Sequence, residues 1–550
     1  MNRVDAVPAD IVGGDIDAAA DDLIAGLEAE PWGHVAPSVY ETARLVALAP
    51  WLDGHVERIS YLLETQRADG GWGPPQGYAL VPTLSATEAL VATLRSGTAA
   101  QRGHEVAHLA TAATRGLQAL TTWLRADLLV PDTPGADLIV PSLVAALNEH
   151  LDHATEPRLE PWQGVRLGLP AGMDGTRLVQ VRHAMAAGAE LPDKLLHFLE
   201  VLGPAPRRAA GIRPVGPGPV GASPAATAAW VASADAPSPT EPALTYLASV
   251  ARGGPVPCPL PITVFESAWV VSGLARAGLR TTAPPSIVAR LSAAMDPAGT
   301  PTGAGLPADA DTTSVALYAL GQLGQPVDHR GLWTYETADG FCTWPGEDGF
   351  SVTTNAHVLD AFGHHVRSSP EPARRYVTAI DRLTVTLREH QMPDGQWQDR
   401  WHASPYYATM CCTLALGDFG RSPLAVEAVA RAVDWVLSSQ RPDGSWGRWG
   451  GTAEETAYAL HVLLTARPGA AGVGAALRRG YTFLLGAAGQ KPDPPLWYGK
   501  ELYHPAAIVR AAVLAALHLA RQRPEKTAAT VATAVPKPRQ AGGKAVISDA

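Results

Sequence analysis

Cysteine is scarce in this chain. Its four residues, Cys258, Cys342, Cys411 and Cys412, form no CxxC pair, and the adjacent Cys411 and Cys412 are poor partners for a structural bridge. This usage reads as a reducing, cytoplasmic setting rather than a disulfide framework. Charge is also thin: 17% of residues are charged, with a formal net charge of -10 and no basic patch, which argues against a nucleic-acid binder. Long apolar runs are missing. Stretches such as Ala511 to Ala520 are far too short to span a bilayer, and the acidic start MNRVDAVPADIVGGDIDAAADD lacks the apolar core of a signal peptide. Period-2 alternation is scarce as well, which leaves little room for half-buried strands.

What is present is apolar material at helical spacing. The chain has 550 residues, of which 46% are hydrophobic, enough for two or three domains. Ser85 to Leu94 (SATEALVATL), Ser314 to Leu323 (SVALYALGQL) and Ala453 to Leu464 (AEETAYALHVLL) carry the helical period between Gly/Pro turns. The fold class expected is all-α. Gly203 to Pro224 is Pro/Gly-rich and reads as a long loop, and Gly253 to Pro261 (GGPVPCPLP) reads as a second break. From about residue 523 the chain is Ala/Pro/Lys-rich and reads as a disordered, solvated tail.

One unit recurs. Arg58 to Trp72 (RISYLLETQRADGGW), Arg382 to Trp397 (RLTVTLREHQMPDGQW) and Arg431 to Trp446 (RAVDWVLSSQRPDGSW) each give a helix, a Gln, an Asp-Gly turn and a Trp. Asp-Gly permits a tight turn. The Gln amide can cap backbone groups at a helix end, and the Trp can pin one helix to the next. Such units suit helical hairpins stacked in a ring or solenoid.

The chemistry-bearing segment is Pro307-Ala-Asp-Ala-Asp-Thr-Thr-Ser314, just before an apolar helix. Residues at i and i+2 do not face each other within a helix, so Asp309 and Asp311 can converge only where the helix begins. Two close carboxyls in an apolar setting cannot both ionise cheaply, so one keeps its proton near neutral pH. Protonating an alkene requires such an acid. Alone, the segment reads more readily as helix capping, because Asp and Thr at a helix start are usually caps.

The QxxDGxW repeats together with this acid motif resemble the squalene–hopene cyclase and class II diterpene cyclase superfamily. Further segments are similar to the bacterial diterpene cyclases and their plant copalyl diphosphate synthase relatives: SVYETA from Ser38, ADLIVPSL from Ala136, PDKLLHFLE from Pro192, SPAATA from Ser223, FE with Trp269 from Phe265, SPYY from Ser404 and LWYGKELY from Leu496. These run in order along most of the chain. The resemblance implies two α/α barrels with the ligand cavity between them: a β unit of 1–29 plus 259–522 that carries the acid motif, and an inserted γ unit of 30–258.

It also implies roles. Asp311 is the general acid, Asp309 holds its geometry, and Thr312 stands where the family's DxDD motif has a last carboxylate. Asn355 is a candidate for orienting or activating the acid, with helix capping as the alternative. Trp344, Phe350, Trp401 and Tyr407 are candidates for a cavity wall whose π faces stabilise carbocations. Lys500, and more weakly Lys194, are candidates for the diphosphate. Mg²⁺ would ride on the diphosphate, with Asp137 or Asp132 as its ligand. There is no DDxxD motif or metal triad of a class I cyclase; Asp21-Asp22 lacks the downstream residues. The diphosphate is therefore expected to survive in the product, for a second, diphosphate-removing enzyme to act on. The implied substrate is geranylgeranyl diphosphate, giving a labdane-, halimane- or clerodane-type skeleton. A farnesyl diphosphate cyclase of drimane type and a non-catalytic, isoprenoid-binding toroid remain as alternatives. A zinc-dependent toroid enzyme fits poorly, because Cys411, Cys412 and His402 make a poor ligand set.

Overall fold

A computed structural model describes residues 15–522, except 31, 97–105, 127, 154–156, 205–210, 217, 232–240, 280–282, 467–469 and 488–492. The tail expected from residue 523 and part of the Gly203–Pro224 loop lie outside the described residues.

The chain is helical, with only two two-stranded ribbons among the described residues. The helices of the N-terminal half are α1 (Ile16–Ala29), α2 (Val39–Leu48), α3 (His55–Glu64), α4 (Leu80–Arg95), α5 (Val106–Arg125), α6 (Ala136–Asp152), α7 (Thr176–Ala186), α8 (Pro224–Val231) and α9 (Pro242–Val250). Those that follow are α10 (Thr263–Arg276), α11 (Pro285–Ala293), α12 (Ala310–Gln322), α13 (Val352–Ser368), α14 (Arg374–Glu389), α15 (Pro405–Phe419), α16 (Pro423–Ser438), α17 (Ala453–Leu464), α18 (Val473–Ala487) and α19 (Ala506–Gln522).

Six of them close a ring. α10 packs on α12, α12 on α13, α13 on α15, α15 on α17, α17 on α19, and α19 back on α10. The sequence sorts inner from outer helices. In α17 every residue from Ala453 to Leu463 is buried, as suits a helix enclosed on all sides. In the outer α14 only one stripe is buried, including Tyr376, Ala379, Ile380, Leu383 and Leu387, while Arg374, Arg375 and Glu389 face water. A second ring joins α2, α4, α6, the 3₁₀ stretch Asp193–Leu202 and α8.

Each ring encloses its own hydrophobic core. One core takes residues from Val39 to Val256; the other takes Ile16 to Leu27 and then Ile262 to Leu517. Thus α1 packs on α10 and α19, across the whole length of the chain. Among the described residues no helix is long and apolar enough to cross a membrane.

The repeats are joints between helices. Each Trp is fully buried and donates its indole N–H to the carbonyl of the residue ten before it: Leu62, Leu387 and Val436, each at 2.7 Å. Each Trp backbone N–H donates to a Thr on the next inner helix, Thr83, Thr409 or Thr456. Each Gln amide bridges its turn glycine carbonyl and a carbonyl of the next outer helix, Ala112, Ala428 or Ala476. The turn glycines Gly70, Gly395 and Gly444 sit at φ +89°, +104° and +92°, a region L side chains avoid.

Candidate active site

The acid segment is held by a short ribbon. Strand Ala308–Asp309 pairs antiparallel with Thr300–Pro301, and α12 starts directly after it. Asp309 is the N-cap: its Oδ1 accepts the Thr312 N–H at 2.6 Å, and its Oδ2 accepts the Thr302 hydroxyl at 3.3 Å. Thr312 and Thr302 touch hydroxyl to hydroxyl at 3.2 Å. Asp309 is 2% exposed. Burial first, then the charge of Asp311, push its carboxyl up to about 7 against the opposing hydrogen bonds from Thr312 and Thr302. It holds its proton near neutral pH.

Asp311 lies one step into the helix and turns toward α13, where His357 Nδ1 stands 2.6 Å from its Oδ1. Burial pulls the imidazole pKa down, but the charge and hydrogen bond of Asp311 outweigh it and hold His357 well above the ordinary range.

Both carboxyls open onto a cavity of about 750 Å³. It runs from an exposed mouth, where Asp132 and Asp348 are 77% and 92% exposed at their side chains, to a buried floor of Asp309, Phe265, Tyr407, Trp497 and Tyr503. Its walls come from both cores: Leu128 to Leu138 and Phe198 from one, the acid segment and the aromatic floor from the other. Rings pack edge to face or tilted along it. Trp344 meets Trp401 at 5.4 Å, Tyr407 meets Trp497 at 4.5 Å, and the Trp269 N–H donates to the Tyr407 hydroxyl at 2.9 Å. A proton donor beneath aromatic faces suits carbocation chemistry.

Known proteins match this chain over nearly its full length. The model of the squalene-hopene cyclase C-terminal domain matches residues 347–493. An ent-copalyl diphosphate synthase of Streptomyces sp. strain KO-3988 is 40% identical over 504 residues, covering 91% of this chain and 95% of that protein. A labda-7,13-dienyl diphosphate synthase of Streptomyces clavuligerus is 42% identical, covering 91% of this chain and 92% of that one. The solved ent-copalyl diphosphate synthase from Streptomyces platensis superposes with a TM-score of 0.85 at 44% identity, over 92% of this chain and 99% of that one. The chain belongs to the bacterial class II diterpene cyclases.

The cyclase gathers many of the expected residues at one site. Asp309, Asp311, Thr312, Trp344, Trp401, Tyr407, Lys194, Asp132 and Asp137 all line the cavity. Lys194 lies at the mouth, its ammonium resting only on the carbonyls of Pro345 and Gly346 at 3.5 and 3.3 Å.

Other expectations are corrected. Asn355 does not reach the acid. Its amide bonds the N–H and C=O of Phe341 at 2.9 and 3.0 Å and the Ser351 carbonyl, and so it braces a loop. The acid's partner is His357, two residues on, because i and i+2 point to different sides of α13. Phe350 stacks on His390 at 4.0 Å and takes no part in the cavity lining. Lys500 is 2% exposed and is consumed by Glu41, Glu200 and Ser223, each at 2.7 Å. Asp137 is paired with Arg177 at 2.9 Å and Asp132 with Arg400 at 3.2 Å. Among the described residues no three His, Cys, Asp or Glu side chains converge as a metal site. These residues do not fit a protein-held Mg²⁺.

The residues missed were His357, Phe265, Trp497, Tyr503, Arg177 and Arg400. Phe265, Trp497 and Tyr503 sat in segments that carried the family resemblance. His357 had no local signal, since its partner lies 46 residues away on a neighbouring helix.

Proposed function

We propose that the cyclase takes geranylgeranyl diphosphate, protonates its terminal alkene from Asp311, and releases a bicyclic labdane-, halimane- or clerodane-type diphosphate with the diphosphate intact. The observation that carries this reading is the carboxyl pair at the floor of an aromatic cavity, in a chain 40% and 41% identical to two Streptomyces copalyl diphosphate synthases over 91% of its length. The size of the cavity, about 750 Å³, falls within the usual range for pockets that enclose a ligand of this kind.

The chemistry follows from the hydrogen bonds. Asp309 keeps a proton beside Asp311; passed to Asp311 Oδ2, with the His357 N–H on Oδ1, that proton is free to go on to the alkene carbon. The Asp311 carboxylate left behind is stabilised by His357, and Thr312 and Thr302 fix the orientation of Asp309. The carbocation then migrates through ring closures under the aromatic faces and ends by losing a proton or capturing water. Lys194, with Arg177 and Arg400 at the mouth, supplies the positive charge that would hold the diphosphate end. The two cores support a β unit of 1–29 plus 259–522 and a γ unit of 30–258. A product that keeps its diphosphate calls for a following enzyme of the ionising or hydrolysing class.

The test offers geranylgeranyl and farnesyl diphosphates in competition, removes phosphate from the products and identifies the alcohols by mass spectrometry. A cyclised C20 alcohol is expected, falling about 10²–10⁴-fold or below detection in Asp311→Asn. A cyclised C15 alcohol instead would move the substrate to farnesyl diphosphate. Linear alcohols alone, from folded protein with both substrates, would sink the reading and leave an isoprenoid-binding toroid.

A further inference from the structure

Behind the aromatic floor lies a carboxylate outside the acid motif. Glu454, in the first turn of α17, is 0% exposed. Its Oε1 accepts three hydrogen bonds, from Trp497 Nε1 at 2.8 Å, His402 Nε2 at 3.1 Å and the Tyr458 hydroxyl at 3.1 Å. The tautomer of His402 is fixed by its other nitrogen. Nδ1 accepts the Ser404 N–H at 3.0 Å, so the proton is on Nε2 and the ring is neutral. None of the three donors therefore cancels the charge of Glu454. On its second oxygen side stands His504 Nδ1, at 3.8 Å.

Two of these groups connect Glu454 to the cavity. Trp497 lines it directly, and His402 lies flat on Tyr407, which also lines it, with ring centres 4.5 Å apart and planes at 23°. The rings of Trp497, and of His402 with Tyr407, lie between the carboxylate and the reacting space. A buried carboxylate is costly, and hydrophobic packing could fill this position without that cost. The start of α17 offsets part of it. An N–H that donates to an anion leaves its ring richer in electrons, and a ring face so polarised holds a cation more strongly where water is excluded.

We infer that Glu454 is a positioning residue of the cyclisation: acting through Trp497 and through His402 on Tyr407, it makes this face of the cavity negative, and the ring-bearing carbocation rests against that face. This rests on the carbocation reading above.

Glu454→Gln tests it with little change of shape. The amide oxygen can keep the three donors, and the amide N–H₂ can face His504 Nδ1. The expected result is a kcat about tenfold lower or more, with KM within about threefold, and a larger share of products quenched before the second ring closes. Binding of an ammonium analogue of the bicyclic cation is expected to weaken about tenfold, while a neutral analogue of the same shape keeps its affinity within about threefold. Equal losses for both analogues, or no loss for either, would overturn the inference. Trp497→Phe keeps an aromatic face, though a smaller one, and removes the N–H. It should lose part of the same cation preference, and it carries the test if Glu454→Gln fails to fold. Should the wild-type protein cyclise neither diphosphate, the substrate reading fails separately, and the ammonium-against-neutral comparison, read on binding alone, still decides for or against Glu454.

Discussion

Asp309 caps a helix and also stores a proton, and the two roles pull against each other. As an N-cap it gains from the Thr312 N–H and the positive end of α12, which favour the ionised form. Burial and the charge of Asp311 oppose ionisation more strongly and raise its carboxyl from an ordinary 3.8 to about 7. The sign for stability follows. The unfolded chain releases this proton near 3.8 and the folded chain near 7, so the folded state binds more protons between these values and loses stability as pH rises through them. Asp309→Asn keeps a capping oxygen and removes the buried charge. It should raise the unfolding midpoint at pH 8, leave it little changed near pH 3, and lower cyclisation by removing the neutral acid beside Asp311. Thermal scans at the two pH values check the first part; an equal shift at both would refute it. The acid pair was legible because two Asp residues at i and i+2 can meet only at a helix start, which is a local fact. Asn355 misled because its side chain points away from the acid, and which neighbour a helical face meets depends on the ring, not on the chain around it.

At the scale of elements, the repeats explain why hairpins stack in register. Gln391 ties its own turn at Gly395 to the Ala428 carbonyl on the next outer helix, and Gln440 ties Gly444 to Ala476 in the same way. Gln391→Ala removes both bonds from a buried site and should cost about 1–3 kcal/mol in urea unfolding. Gln440→Ala, at a less buried site, should cost less, and a reversed ranking would contradict the cap assignment. The helical period and the turn residues made these joints readable in advance. Ring closure was not readable from the period itself, since the meeting of α10 with α19 unites segments far apart in sequence. The all-round burial of α17 against the single stripe of α14 is the local trace that the ring leaves.

The whole molecule depends on a seam between two cores, because the cavity takes its walls from both. Lys500 sits in that seam. Its ammonium comes from the segment before α19, while Glu41 and Glu200 belong to the other core, and the Tyr40 hydroxyl joins them on Glu200 at 2.7 Å. Burial lowers the lysine's affinity for its proton, but the two carboxylates outweigh it and keep the ammonium charged. The sequence marked Lys500 as a candidate for the diphosphate, and nothing in the segment around it points to Glu41 and Glu200, hundreds of residues away, which hold its charge. Replacing it separates the cases. Lys500→Met leaves two buried acids without their cation, which should cost about 3–5 kcal/mol and loosen the seam, so activity falls along with stability. Adding Glu41→Gln and Glu200→Gln removes the stranded charges and should restore most of both. A diphosphate ligand would behave otherwise: Lys500→Met would raise KM with the unfolding midpoint unchanged, and neutralising the glutamates would rescue nothing. Denaturant unfolding and steady-state kinetics on the single and triple variants therefore distinguish a seam that shapes the cavity from a contact that binds the substrate.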